Sequence, residues 1–343
     1  MSSDADDSST LLRRARGGDS RAFDELIAAY RSELRAHCYR MLGSVHDADD
    51  ALQDAVFRAW KGLSGFTERG TVRAWLYSIA TNTALDVATH RSRRELPVDF
   101  GPAAGPDADL DPPSSEIPWL EPYPDQWLTN SAFDRAASSP DARFEQRESV
   151  ELAFVIALQH LPPLQRAVLL LREVLGFSAA EIASQLGTSA ASVNSALQRA
   201  RASVRDKRPE TTQQQALNKL GEQRTRALAQ QYAEAIERAD VDTLISMLTA
   251  DATWSMPPIP TYYRGHEAVA SFLRRFPLTQ AWKHRPTRAN GHLAVGCYMY
   301  DRTRQAFLPH CIDVLTIDGD RISAVTAFLG ADLPSFGLPV EVG

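Results

Sequence analysis

The sequence predicts a multidomain chain: two all-α modules, the second carrying a helix–turn–helix, followed by an α+β cone. Three observations predict it. Residues 11–95 contain no proline and place apolar side chains at helical spacing, at Ala22, Leu26 and Tyr30 and then at Leu34, Cys38 and Leu42. Residues 96–147 abandon that pattern, with prolines at 97, 102, 106, 112, 113, 118, 122, 124 and 140 and ten carboxylates against three arginines. Helical spacing resumes over 148–208, and beyond Pro209 a helical start gives way to alternating, strand-like stretches.

The 343 residues allow two or three domains, and the formal net charge of −6 excludes a uniformly basic nucleic-acid coat. Any DNA-binding charge must therefore be concentrated locally. Cys38, Cys297 and Cys311 are scattered, without metal-ligand spacing. They predict free thiols in a reducing cytoplasm, and neither a metal nor a cofactor is expected. The acidic, polar start MSSDADDSST is expected to be a disordered tail over 1–10 and has none of the marks of a signal peptide. No apolar run approaches the ~20 residues of a membrane span, so no membrane association is expected.

The first module contains two informative helices. In the stretch 47–60, Asp47 is placed to cap, and Ala48, Leu52, Ala55, Val56 and Ala59 form an apolar stripe. Asp50, Gln53, Asp54 and Phe57 fall on another face, which is either a solvated acidic surface or an interface. The stretch 72–94 begins aromatic and ends basic. Trp75, Leu76, Ile79 and Leu85 suit a core, while Arg91, Arg93 and Arg94 suit phosphates. Asn82, a poor helix former in mid-helix, is a candidate for reading a base edge.

Together these stretches, D-A-D-D-A-L-Q-D-A-V-F-R-A-W followed by W-L-Y-S-I-A-T-N-T-A-L-D-V and a basic tail, resemble region 2 of extracytoplasmic-function (group IV) sigma factors of the sigma-70 family. The resemblance implies that Asp50, Gln53, Asp54 and Phe57 dock on the β′ clamp helices of RNA polymerase. It also implies that Asn82 lies near the promoter −10 element, with Arg73, Arg91, Arg93 and Arg94 on phosphates. Thr81 and His90 stand where that family often carries basic residues.

The second module reads as a DNA-binding unit. Ser178 and Glu181 form a capping box, Ile182 and Leu186 face inward, and Gly187 permits the left-handed turn. Thr188 or Ser189 then caps a second helix with Val193 and Leu197 in its core. Ser189, Ser192, Asn194 and Ser195 are candidates for base edges, and Arg199, Arg201 and Arg205 for phosphates. The preceding L-P-P-L-Q-R resembles the entrance to sigma region 4, which implies −35 recognition and contact with the polymerase β flap. In that family the joining segment, here acidic and proline-rich over 96–147, threads the polymerase. Within it, Trp119, Tyr123 and Trp127 call for a docking surface.

Residues 209–343 resemble the SnoaL-like, NTF2-like cone, on A-T-W-S-M-P-P followed by Y-Y-R-G-H-E-A-V and on the order of elements. Thr211 to Gln215 reads as a polar hinge. Three domains in this order resemble the SigG/SigJ-like branch of the family. The preferred role of the third is to regulate the other two by contact within the chain. A small-molecule sensor is the variant, with a pocket expected from Trp254, Met256, Tyr263, Phe272, Trp282 and Phe328. An isomerase- or cyclase-like enzyme is the alternative. His266, His284, His292, His310, Asp301 and Asp313 are its possible groups, although no spacing among them demands catalysis.

Overall fold

A computed structural model describes residues 3–66, 71–128, 147–205, 209 and 211–342. The chain divides into two compact units. The first comprises residues 1–93, 127–149 and 157–208, and the second 94–126, 150–156 and 209–343.

The first unit is helical. Ser3–Arg16, Ser20–Ala28, Arg31–Leu42, Val45–Gly62 and Val72–His90 form one group of helices. Leu26, Leu34, Cys38, Met41, Leu52 and Ala80 are almost fully buried among them, which realises the periodicity of the sequence. Residues 3–10 were expected to be disordered and instead open the first helix, whose last turn carries Arg13, Arg14 and Arg16, the charge that suits a helix C-terminus. The 45–62 helix is capped by Ser44, whose hydroxyl accepts from the Asp47 N–H at 3.1 Å. Asp47 therefore sits inside the first turn, buried, and is not the cap expected from sequence.

A second group contains Pro163–Leu169, Ala179–Gln185 and Ala190–Arg205, preceded by Leu152–Gln159, which straddles the boundary between units. Arg166 is 4% exposed and ties this group together. Its guanidinium donates to the Gln159 side chain at 2.8 Å, to the Gln159 carbonyl at 3.1 Å and to the Leu161 carbonyl at 3.2 Å. It also reaches the Met41 carbonyl of the first group. These acceptors serve its two terminal nitrogens, as a guanidinium buried this deeply requires, while its Nε is buried without a partner.

The second unit is an α+β domain. Its six strands are β1 (Leu248–Met256), β2 (Ile259–Arg264), β3 (Trp282–Ala289), β4 (His292–Asp301), β5 (Ala306–Asp318) and β6 (Arg321–Leu329). They lie in the order β2-β1-β6-β5-β4-β3, antiparallel except for the parallel pair β1–β6. Gly319 supplies the positive φ of 61° in the β5–β6 turn, Asp318-Gly319-Asp320. Glu222–Glu237 and His266–Arg275 supply Tyr232, Ile236, Val269 and Phe272 to a core shared with Trp254, Val295, Leu315 and Val325.

Two expectations change here. Of the segment 96–147 read as an acidic, proline-rich linker, residues 96–126 are part of this domain, together with residues 94 and 95. Leu120 is 1% exposed, Tyr123 is fully buried and Trp119 is 8% exposed. Ala104 donates its N–H to the Tyr262 carbonyl at 2.8 Å, and Asn290 holds the Tyr123 N–H at 2.7 Å. Trp127 belongs to the first unit, where the Arg35 guanidinium lies 4.5 Å from its ring centroid. Residues 129–146, including Arg135 and Arg143, lie outside the described residues. The second change concerns the supposed hinge at 211–215. It is the capped start of a helix: Thr212 forms a capping box with Gln215, and the buried Gln213 and Gln214 bond to the Ile317 and Gly291 carbonyls.

Candidate functional site

The 45–62 helix presents the face that the sequence singled out. Asp50, Gln53, Asp54 and Phe57 are all exposed, while Ala48, Ala51, Leu52, Ala55 and Ala59 are buried on the other side. Phe57 is 56% exposed, an unusual position for a phenyl group on a soluble helix, and the Lys61 ammonium lies 4.1 Å from its ring centroid. Three acceptor-bearing side chains around one bare aromatic make a surface suited to a basic, partly apolar partner.

The 72–90 helix divides its candidates. Asn82 is exposed, and its amide donates to the Ser78 carbonyl at 2.8 Å and to the Gln185 carbonyl at 3.3 Å. The Ser78 hydroxyl reaches the same Gln185 carbonyl at 3.4 Å. In this arrangement the residue expected to read a base is occupied by the first helix of the helix–turn–helix. Arg73 is held near Glu33, at 3.5 Å, with its guanidinium 5.4 Å from the Phe177 ring centroid. Burial pushes the Glu33 carboxyl upward, with Arg73 and the Tyr77 hydroxyl opposing it. Thr81, where a basic residue is frequent, is buried against His37 at 2.9 Å.

The expected basic cluster is not brought together. Arg91 pairs with Asp47, and Arg93 meets the His160 ring at 2.9 Å. Arg94 belongs to the second unit and donates to the Trp119 carbonyl at 3.0 Å. The helix ends at His90, so these arginines follow it on the departing chain and each finds its own partner.

The helix–turn–helix follows its sequence closely. The Ser178/Glu181 box is complete, with Glu181 accepting from the Ser178 N–H at 2.7 Å and Ser178 from the Glu181 N–H at 3.2 Å. These bonds hold the Glu181 carboxyl below its usual range. Gly187 has φ 61°. Ser189 caps the second helix, accepting from the Ser192 N–H at 3.1 Å. Val193 and Leu197 are buried, and Leu186 is half-buried. Ser189, Ser192, Asn194, Ser195, Arg199, Arg201 and Arg205 are all exposed. Arg201 pairs with Glu173 at 2.6 Å, so part of its charge is already answered.

The second unit contains a cavity of about 230 Å³. Of the residues expected to line it, Trp254, Met256, Phe272 and Trp282 do so. Tyr263 and Phe328 do not. Tyr263 stacks on Phe272 at 4.8 Å and donates its hydroxyl to the Ala108 carbonyl at 3.0 Å. Phe328 lies between Ala327 and Leu329, which both face the cavity, and so points to the opposite side of β6. Sequence reasoning missed Leu110, contributed by the 94–126 segment, and the two thiols of Cys297 and Cys311, which line the cavity beside Asp313. Among the possible catalytic groups, His284, His310 and Asp313 line the cavity. His292 instead accepts from the Leu152 N–H, and Asp301 is bonded to the N–H groups of Thr303 and Arg304.

Two helical modules, one carrying an acidic docking face and the other a helix–turn–helix, precede an α+β cone. That combination defines a transcription-initiation subunit with a C-terminal extension. Residues 26–94 match the model of Sigma-70 region 2, 152–204 that of Sigma-70 region 4, and 229–325 that of the SnoaL-like domain. The ECF RNA polymerase sigma factor SigG of Mycobacterium tuberculosis is 43% identical over 329 residues, 94% of this chain and 85% of that protein. The ECF sigma factor SigW of Bacillus subtilis is 36% identical over 86 residues, 25% of this chain and 44% of that protein. The crystal structure of M. tuberculosis SigJ shares the fold, with a TM-score of 0.57 and 22% identity over 92% of this chain and 99% of that one. The chain belongs to the ECF RNA polymerase sigma factors. It binds core polymerase and promoter DNA and directs transcription initiation. None of its described helices is long and apolar enough to cross a membrane.

Proposed function

We propose that residues 11–95 dock on the β′ clamp helices through Asp50, Gln53, Asp54 and Phe57 and read the −10 element with Asn82, supported by Arg73, Arg91, Arg93 and Arg94. Residues 148–208 read the −35 element with Ser189, Ser192, Asn194 and Ser195, hold phosphates with Arg199, Arg201 and Arg205, and meet the β flap. The protein works in the cytoplasm, where polymerase and DNA are. The observation that carries the docking assignment is the 56% exposure of Phe57 amid Asp50, Gln53 and Asp54. A double change, Asp54→Arg with Phe57→Ala, replaces an acid by a base and removes the aromatic anchor without touching the buried stripe. Such variants should retain helicity and lose at least tenfold in core-polymerase affinity, about 1.4 kcal/mol, measured by pull-down or fluorescence anisotropy. Unchanged affinity in the folded double variant overturns the assignment.

The C-terminal domain, over 209–343, acts on the sigma modules by contact within the chain. What supports this reading is that residues 94–126, which join the two modules in sequence, are bonded into the C-terminal domain. A segment held there is withdrawn from any path through polymerase until the domain releases it, and a partner shifts that balance only through a difference in affinity for the two states. A second reading, that the domain senses a small molecule, is favoured by the cavity of about 230 Å³, since Leu110 of the same segment forms part of its wall.

A further inference from the structure

Strand register places three potential metal ligands in a row on the cavity side of the sheet. His284 on β3 faces Cys297 on β4, and Cys297 faces Cys311 on β5. Asp313 lies two residues beyond Cys311 and so shares its side of the strand. One ligand atom each from Cys297, Cys311 and Asp313 lies within 4.8 Å of the other two, all three residues are buried, and both thiols are free. Tetrahedral zinc with bonds of about 2.0–2.3 Å separates its ligand atoms by roughly 3.5–3.8 Å. The group needs only about an ångström of closure to reach that geometry.

A packed core accounts for two small thiols but not for the carboxylate beside them. Asp313 is 4% exposed in a cavity with no Lys or Arg in its lining. A carboxylate there needs a proton or a cation. The Tyr232 hydroxyl donates to Asp313 Oδ2 at 2.8 Å, which orients the carboxyl and leaves Oδ1 toward Cys311 Sγ, at 3.5 Å. A hydrogen bond of this kind is how ligating carboxylates are held. His284 lines the same cavity, and its buried Nδ1 makes no hydrogen bond, 3.6 Å from Glu237 Oε1.

We propose that Cys297, Cys311 and Asp313 bind a thiophilic divalent cation, zinc(II), on the wall of the C-terminal cavity, with the fourth position open to the cavity and to His284. Two sulfurs and one oxygen select zinc over magnesium or calcium, which take all-oxygen sets. Binding exchanges the thiol protons for the metal, so it releases protons to solvent and tightens as pH rises. The site would place a Lewis-acidic ion with a free position inside an otherwise apolar cavity.

The test uses the full chain, purified with a reductant, stripped by a chelator and titrated with cobalt(II). The expected result is a thiolate-to-cobalt charge-transfer band that saturates at one equivalent and is displaced by zinc. The band should be lost in Cys297→Ser and in Cys311→Ser, weakened in Asp313→Asn and retained in Cys38→Ser. Zinc should raise the melting temperature of the unmodified chain but not of the serine variants. The absence of a band from the folded, reduced, unmodified chain overturns the proposal whether or not any variant folds. So does its survival in a folded Cys297→Ser/Cys311→Ser protein, or a Cys297–Cys311 disulfide persisting under reductant.

Discussion

Replacing Phe177 by alanine should part the two helical modules of the first unit. Phe177 is 6% exposed, its ring lies 5.9 Å edge-on from Tyr77, and the Arg73 guanidinium sits 5.4 Å from its centroid. Truncating a buried phenylalanine costs about 3–5 kcal/mol in all, part of which is packing inside the helix–turn–helix module itself. The share that crosses to the 72–90 helix is one edge-to-face pair, about 0.5–1.5 kcal/mol, and one cation–π contact, about 0.5–2 kcal/mol. Their loss, about 1–3.5 kcal/mol, raises the constant for separating the modules by roughly 5- to 370-fold. Asn82 is then released from the Gln185 carbonyl more often. Amide exchange along 72–90 should quicken by that factor, and a dye pair at exposed positions of the two modules should lose transfer efficiency. Promoter-dependent transcription at limiting polymerase should rise accordingly, because apparent affinity scales with the fraction of competent chain. A folded Phe177→Ala protein with unchanged exchange and unchanged transfer would refute the view that this contact holds the modules together.

Two further outcomes follow from the same geometry. Asn194→Ala should alter base preference in the upstream promoter element, whereas Arg201→Ala should weaken binding evenly and by little, because Glu173 already pairs with it; footprinting across promoter variants separates the two, and identical losses would contradict the division. Burial pulls His292 down to about 4 from an ordinary 6.5, so the unfolded chain takes up the proton first as pH falls. Its contribution, about 3 kcal/mol, is complete above pH ~6.5 and fades toward pH ~4, and His292→Gln should flatten the fall of the cone's melting temperature between pH 7.5 and 5.

Features governed by near neighbours were legible in the sequence. The Ser178/Glu181 box, the Gly187 turn and the Phe57 face each depend on residues within a few positions of one another, and helical spacing alone separates Leu52 from Asp54. The cap of the 45–62 helix was misassigned by three residues because Ser44 and Asp47 are both good capping residues, and only backbone geometry distinguishes them. Arg166 was visible as part of L-P-P-L-Q-R, but nothing local reveals that it is buried beneath the Met41 carbonyl. The cavity was half legible: alternation places Trp254 and Met256 on one side of β1, but which side of β6 Phe328 takes depends on register. The Cys297–Cys311 pairing is equally a matter of register, across fourteen positions with no C-x-x-C to announce it, and the β4–β5 register shifts immediately after Cys297.

The proline-rich segment shows most clearly what composition conceals. Its few apolar side chains could not form a core among themselves, and so it reads as a linker; the core it joins lies far away in the chain. Tyr123 is bonded to Asn290, 167 residues on, and Asn290 also donates to the Val150 carbonyl at 2.8 Å. A chain ended near Arg208 therefore loses Asn290, the partner of the fully buried Tyr123, and exposes a ring whose burial is worth about 1.5–3 kcal/mol. Such a truncation should aggregate or misbehave for reasons unrelated to regulation. Asn290→Gly is the cleaner perturbation. Asn290 has φ 53°, a conformation that glycine adopts freely, and the change removes the side-chain bonds to Tyr123 and Val150 while leaving the apolar contacts in place. Each of these two buried backbone groups loses a partner, at about 1–3 kcal/mol each. Protease should then cut within 94–126 at least tenfold faster, with the β-sheet core still resistant. Transcription should change in the same variant if release of this segment is what the domain controls. Faster cleavage with unaltered transcription would leave the segment a structural strap and remove the basis for regulation through it.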